Sequence, residues 1–278
     1  NAWNDAKAVS PYGGLLKPST GIYLLGQNQV TLDLTDDTNG NFGRFTALIG
    51  QHAGVTFVPH ADLAGSANPM IKLDATWGPV AIENVYCRLW TLPSTLRDVT
   101  ALLIEGSQFG LLNNVTVYGG GAVNPLVKFG AGVADFTVHR LHVKGYYALG
   151  SIDPYAVGVL FGSSGSPTST WFKNCIFDGC LKGVTNTGGA INHTNVTFDH
   201  CDYIDCVDDT YLVGGMDSWH WDKCRHEKSA LEPGRFITPP TWMRNFYLEG
   251  VRSFTINRPY VTSMDEYEKV FAHLVDSE

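Results

Sequence analysis

The chain has 278 residues, 44% hydrophobic and only 17% charged, with 30 glycines and a net charge of −8. A charged share below the usual ~25% describes many turns around a dense core rather than an extended solvated surface. With no basic run and no nucleic-acid motif, a nucleic-acid partner is not expected, and no apolar run reaches the roughly 18 residues of a membrane span.

Trp3, Ala6 and Val9 share one helical face, which predicts a short N-terminal helix stopped by Pro11, Gly13 and Gly14. The chain opens on Asn1 rather than Met, so a processed or excised piece is expected. Leu15-Leu16-Lys17-Pro18, a turn at Ser19-Thr20-Gly21, Ile22–Leu25 and the alternating Val30–Leu34 follow. Residues 1–44 thus read as a cap with entry strands.

From 45 to 262 the chain becomes a succession of strand words. Thr46–Ile49, Val55–Val58, Met70–Leu73, Val80–Val85, Ala101–Ile104 and Leu111–Val117 lead into five that can be laid on one another. These contain Asn114-Val115-Thr116-Val117, Arg140-Leu141-His142-Val143, Asn174-Cys175-Ile176-Phe177, His200-Cys201-Asp202-Tyr203 and Lys223-Cys224-Arg225-His226. With their first residues equivalent, the steps are 26, 34, 26 and 23 residues. A strand word returning at such a period, with Gly- and Ser-rich turns between, marks a solenoid. Phe172, Phe198 and Trp221 fall in one inward column and Cys175, Cys201 and Cys224 in another. The expectation is an all-β fold, a single-stranded right-handed parallel β-helix. The six cysteines lack CxxC spacing, so buried reduced thiols stacked in the coil are expected rather than a zinc site.

Two loops break the period: Lys144–Pro154, with Tyr146, Tyr147 and nearby Tyr155, and Leu231–Met243, with Pro233, Pro239, Pro240 and Trp242. Insertions on a solenoid often carry binding, which makes Tyr147 and Trp242 candidate sugar contacts. In the 263–278 tail, Tyr267, Val270, Phe271 and Leu274 stand at helical spacing and predict a short capping helix.

Gly13-Gly14-Leu15-Leu16-Lys17-Pro18-Ser19-Thr20-Gly21-Ile22-Tyr23 resembles the opening of pectate-lyase-like right-handed β-helices of the phage tailspike and depolymerase type. The resemblance implies a homotrimer, on a virion tail or extracellular, that binds and often cleaves a bacterial surface polysaccharide. A partial resemblance to polygalacturonase-like enzymes lies in Asn186-Thr187, followed here by Gly188 instead of Asp, and Asp208-Asp209 about one coil later. Their Gly-His-Gly and Arg-Ile-Lys motifs are absent, with Arg225, His226 and Lys228 as loose substitutes.

Glycoside hydrolysis needs a carboxyl proton donor and a second carboxyl as base or nucleophile. Asp202, Asp205, Asp208 and Asp209 form the densest acidic cluster, and Glu227 follows one coil later. Asp205, Asp208, Asp209 and Glu227 are the catalytic candidates, with Arg225, His226 and Lys228 as substrate contacts. His226 aligns with Val143, Phe177 and Tyr203, which also fits a packed ring. Asp208-Asp209 also fits a turn. No cofactor is expected, save Ca²⁺ held by clustered Asp if the chemistry is that of a lyase. A non-catalytic glycan-binding spike is the alternative.

Overall fold

The computed structural model describes residues 13–25, 30–33, 45–50, 54–63, 68–74, 79–89, 99–119, 124–145, 156–162, 168–187, 193–228, 242–263, 268–275 and 277. Among these, 22 strands join in one continuous parallel sheet. Strands pair in register with those one coil before and one coil after, save at the two ends of the described residues, and this makes the molecule a parallel β-helix, with the right-handed crossovers normal for parallel strands. The predicted N-terminal helix lies outside the described residues.

Three columns of strands run along the solenoid. The first includes Thr168–Lys173, His193–Asp199 and the second half of Asp208–Asp222. The second includes Ile176–Asp178, Asp202–Ile204, Arg225–Lys228 and Tyr260–Ser263. The third includes Val157–Phe161, Lys182–Asn186, the first half of Asp208–Asp222 and the first half of Trp242–Asn257. The entry strands Gly13–Leu16, Gly21–Leu25 and Val30–Asp33 already pair with the next coil and so belong to the helix itself.

One corner sets the geometry of the whole. Asn84, Asn114, Arg140, Asn174, His200, Lys223 and Arg258 all have φ between 50° and 55°. These left-handed residues turn the chain from the first sheet into the second. Asn tolerates this backbone, whereas Arg, His and Lys adopt it at a cost of roughly 1–2 kcal/mol each. Side-chain bonds along the corner offset part of that cost. Asn114 Nδ2 donates to Asn84 Oδ1 at 2.8 Å, and Arg258 makes a two-oxygen contact with Asp222. Beside them a chain of bonds crosses four coils, from Glu83 through Asn113 and His139 to Asn174.

After the corner, the first and third residues point inward. They form the columns Val85–Val115–Leu141–Cys175–Cys201–Cys224 and Cys87–Val117–Val143–Phe177–Tyr203–His226, all buried. Phe172 stacks on Phe198 at 4.7 Å, and Phe198 on Trp221 at 5.7 Å, close to the ~4.8 Å rise between coils. Cys175, Cys201 and Cys224 are free thiols donating to the carbonyls of Val138, Phe172 and Phe198 in the coil before. Burial pushes the Cys87 thiol up to about 12.

The predicted C-terminal helix is a strand instead. Glu268–Val275 pairs along Trp242–Glu249, with Val270, Ala272 and Leu274 opposite Arg244, Phe246 and Leu248. Parallel pairing satisfies its backbone on one side, an offer the helical spacing of its apolar residues does not reveal.

Candidate functional site

Because the first and third residues after the corner are buried, the second and fourth face outward. Their columns are Tyr86, Thr116, His142, Ile176, Asp202, Arg225, Tyr260 and Arg88, Tyr118, Lys144, Asp178, Ile204, Glu227, Thr262. This outward face of the second sheet holds one open groove of about 560 Å³, lined chiefly by Asn84, Tyr86, Asn114, Tyr118, His142 and Lys144. Lys144 Nζ stands 5.4 Å from the centre of the Tyr118 ring and 3.4 Å from Asp178. His142 Nε2 is buried without a hydrogen-bond partner. Burial is the main influence holding the His142 pKa below its ordinary value; Lys144 adds to it and Asp178 opposes it. A neutral imidazole therefore stands at the groove wall near neutral pH, with its Nε2 covered.

Farther along the same face the side chains are charged. Arg225 makes a two-bond contact with Asp202, at 3.2 and 2.9 Å, and its other nitrogen lies 3.3 Å from Glu227. Arg225 and Glu227 thus stand on the same face as the groove, and both are reachable by solvent. Asp178 and Glu227 occupy one column two coils apart, roughly 9–10 Å by strand spacing.

The other predicted site residues lie elsewhere. Asp209 is fully buried and receives Lys228 Nζ, His226 Nδ1 at 2.8 Å and Asn245 Nδ2 at 2.7 Å. Lys228 also donates to the carbonyls of Cys206, at 2.5 Å, and Arg244, at 3.4 Å. His226 packs flat on Tyr203 at 5.0 Å and against Phe246. Asp208 is clamped by Arg244 through bonds of 2.6 and 2.9 Å. Asp205 is 1% exposed and takes the left-handed conformation (φ 51°) at the position held one coil earlier by Gly179. As placed, Asp205, Asp208, Asp209, His226 and Lys228 are beyond the reach of a polymer, because inter-coil pairing has turned them inward or covered them. Their side chains do not suit Ca²⁺ either, since the oxygens of Asp208 and Asp209 already accept from Arg244, Lys228, His226 and Asn245. Among the described residues no three His, Cys, Asp or Glu side chains converge as a metal cluster. Trp242 begins a strand instead of lying in a loop, and Tyr147 is outside the described residues.

The outer side of the third sheet offers a further ladder. Tyr211 and Tyr247 stack at 4.5 Å and His273 follows at 5.1 Å, with Lys182 Nζ 3.5 Å over Tyr211 and Arg244 4.5 Å from Tyr247. Their ring faces are covered by one another and by these cations. Such rings present edges and hydroxyls to a ligand rather than stacking faces, and the Tyr247 hydroxyl already donates to Glu249.

Reading the repeat words for inward columns alone misses Tyr86, Tyr118, His142 and Lys144. The signal was present: the same alignment gives the outward columns as the second and fourth residues of each word.

No family model matches the chain, and no curated protein matches it. Among solved structures, it is similar to PfbA, a surface adhesin of Streptococcus pneumoniae, at 11% identity over 100% of this chain and 88% of that one, with a TM-score of 0.45. It is similar to an endo-xylogalacturonan hydrolase from Aspergillus tubingensis at 12% identity over 97% and 90%, with a TM-score of 0.46. It is also similar to ORF18 of Geobacillus virus E2 at 14% identity, spanning 54% of that chain and 94% of its own, with a TM-score of 0.40.

Proposed function

We propose that this chain is a glycan-binding β-helix that takes a bacterial surface polysaccharide along the outward face of its second sheet. The observation that carries this reading is the groove at Asn84, Tyr86, Asn114, Tyr118, His142 and Lys144. Amide, phenol, imidazole and ammonium groups beside aromatic carbon match the mixed hydroxyl and C–H surface of a sugar. The outward columns repeat at the coil rise, so the face extends in one direction as a polymer does. Lys144 is offset by Asp178, which makes the groove suited to a neutral or weakly charged chain. The wider setting we infer is a homotrimeric spike, extracellular or on a virion tail.

The test is binding of the full chain to purified capsular polysaccharide and lipopolysaccharide from candidate hosts, with Tyr118→Ala and Asn114→Ala beside it. Binding weakened tenfold or more by Tyr118→Ala supports the groove; undiminished binding places the sugar elsewhere. Light scattering at three times the chain mass supports the trimer, and a single-chain mass removes it.

Hydrolysis is the second reading, favoured by Asp178 and Glu227 standing two coils apart on this face, with Asp178 8% exposed and paired to Lys144. Their backbone spacing is near the upper end of the about 6.5–9.5 Å carboxyl separation used by inverting enzymes. New reducing ends released by the native chain and abolished by Glu227→Gln would support it. Binding without new reducing ends would leave the adhesin reading alone.

A further inference from the structure

A second feature, independent of the groove, is the buried cluster around Asp209. Asp209 uses one carboxylate oxygen for Lys228 Nζ and the other for the side-chain amide of Asn245. A single carboxyl therefore holds an amine and a carboxamide side by side. Lys228 Nζ also donates to the Arg244 carbonyl, the group immediately before Asn245 in the chain. Lys228 and Asp209 are 4% and 0% exposed, and Asn245 is 5% exposed. Beside them are His226, Tyr203 and Phe246, whose rings pack on one another. The near-complete burial of the three polar side chains keeps water from solvating the charges.

We propose that Lys228 and Asn245 join in an intramolecular amide bond, formed by the folded chain itself with Asp209 as the catalytic acid and base. Proton transfer from the Lys228 ammonium to Asp209 gives a free amine and a carboxylic acid, exchanging two buried charges for two neutral groups. The Nζ lone pair attacks Cγ of Asn245, and the C=O electron pair moves onto the side-chain oxygen. Asp209 gives its proton to the Asn245 nitrogen that it already faces and takes one in turn from Nζ. The C=O reforms, the Cγ–Nδ2 bond breaks and ammonia leaves. The product is a secondary amide, Asp209 ends protonated, and no oxidant, metal or nucleotide is required. Holding both reactants on one group is what makes the step accessible, since fixed neighbours replace a bimolecular encounter. His226 Nδ1, 2.8 Å from Asp209, is the positioning group that fixes the carboxyl plane. The bond would tie the strand Arg225–Lys228 covalently to the next coil across residues 229–244.

The test is the mass of the full chain, measured reduced and denatured. The expected mass is that of the sequence less one ammonia. Trypsin should then release peptides 226–235 and 245–252 as one joined species, uncut after Lys228. Asp209→Asn and Lys228→Arg should each restore the full mass and the separate peptides. A native chain of full sequence mass overturns the proposal and leaves a buried ion pair. A loss of one water instead of one ammonia also overturns it, because Asp209 itself would then be the acylated partner. The native chain's mass decides the matter even if either variant fails to fold.

Discussion

Replacing Asp208 with alanine separates a structural carboxylate from a catalytic one. Its side chain is 3% exposed and that of Arg244 is 12% exposed, joined by bonds of 2.6 and 2.9 Å. Removing the carboxylate leaves a largely buried guanidinium without its main counter-ion, a change that typically costs about 3–5 kcal/mol. Arg244 keeps the faces of Tyr247 at 4.5 Å and Tyr211 at 5.5 Å, which retain some of the cation's stabilisation. The expected loss is therefore at the lower end, about 3 kcal/mol, or a fall in Tm of roughly 6 °C for a chain of this size. The paired replacement Asp208→Leu with Arg244→Met removes both charges and should recover to within about 1 kcal/mol of native. Thermal unfolding followed by circular dichroism reads both variants. An Asp208→Ala chain as stable as the native one would refute the reasoning, and a carboxylate free for chemistry would again have to be considered there.

Phe198→Ala should cost about 3–5 kcal/mol, because its ring lies between Phe172 and Trp221 in a closed column; chemical denaturation measures it. His139 and His142 both have pKa values held below the ordinary one, chiefly by burial. As pH falls the unfolded chain takes these protons first, so their contribution is complete above about pH 6.5 and declines as pH drops through the lower folded values. Unfolding midpoints between pH 7.5 and 5 should fall accordingly, and His142→Gln should flatten part of the slope. Cys201 and Cys206 thiols are raised well above the ordinary range by burial first and by neighbouring thiols next. Native protein should therefore resist iodoacetamide at pH 8 and label fully only when denatured, as a mass spectrum will show.

Much of the fold is legible in five short words. Asn114, Arg140, Asn174, His200 and Lys223, equivalent by alignment, share one left-handed backbone conformation, and the columns beside them stack as the period requires. What one strand's sequence does not state is its neighbour one coil away. Asp208-Asp209 reads as an exposed acidic turn until Lys228, Arg244 and Asn245, 19 to 36 residues on, are laid against it. His226 was legible as a packed ring from its column, and it stacks on Tyr203 as that column implies. The tail misled because Val270, Phe271 and Leu274 satisfy a helical spacing while Val270, Ala272 and Leu274 also satisfy strand alternation. Pairing with the preceding coil selects the strand. The groove escaped because outward positions vary freely in a solenoid, and Tyr86 or Lys144 gains meaning only once the columns are assembled in space.

Titration of the full chain with a purified bacterial surface polysaccharide, native against Tyr118→Ala, tests the central claim most directly. A saturable signal that weakens at least tenfold in the variant, with unchanged unfolding temperature, is the predicted result. Equal binding by both chains, or none by the native chain across the host polysaccharides, would contradict it.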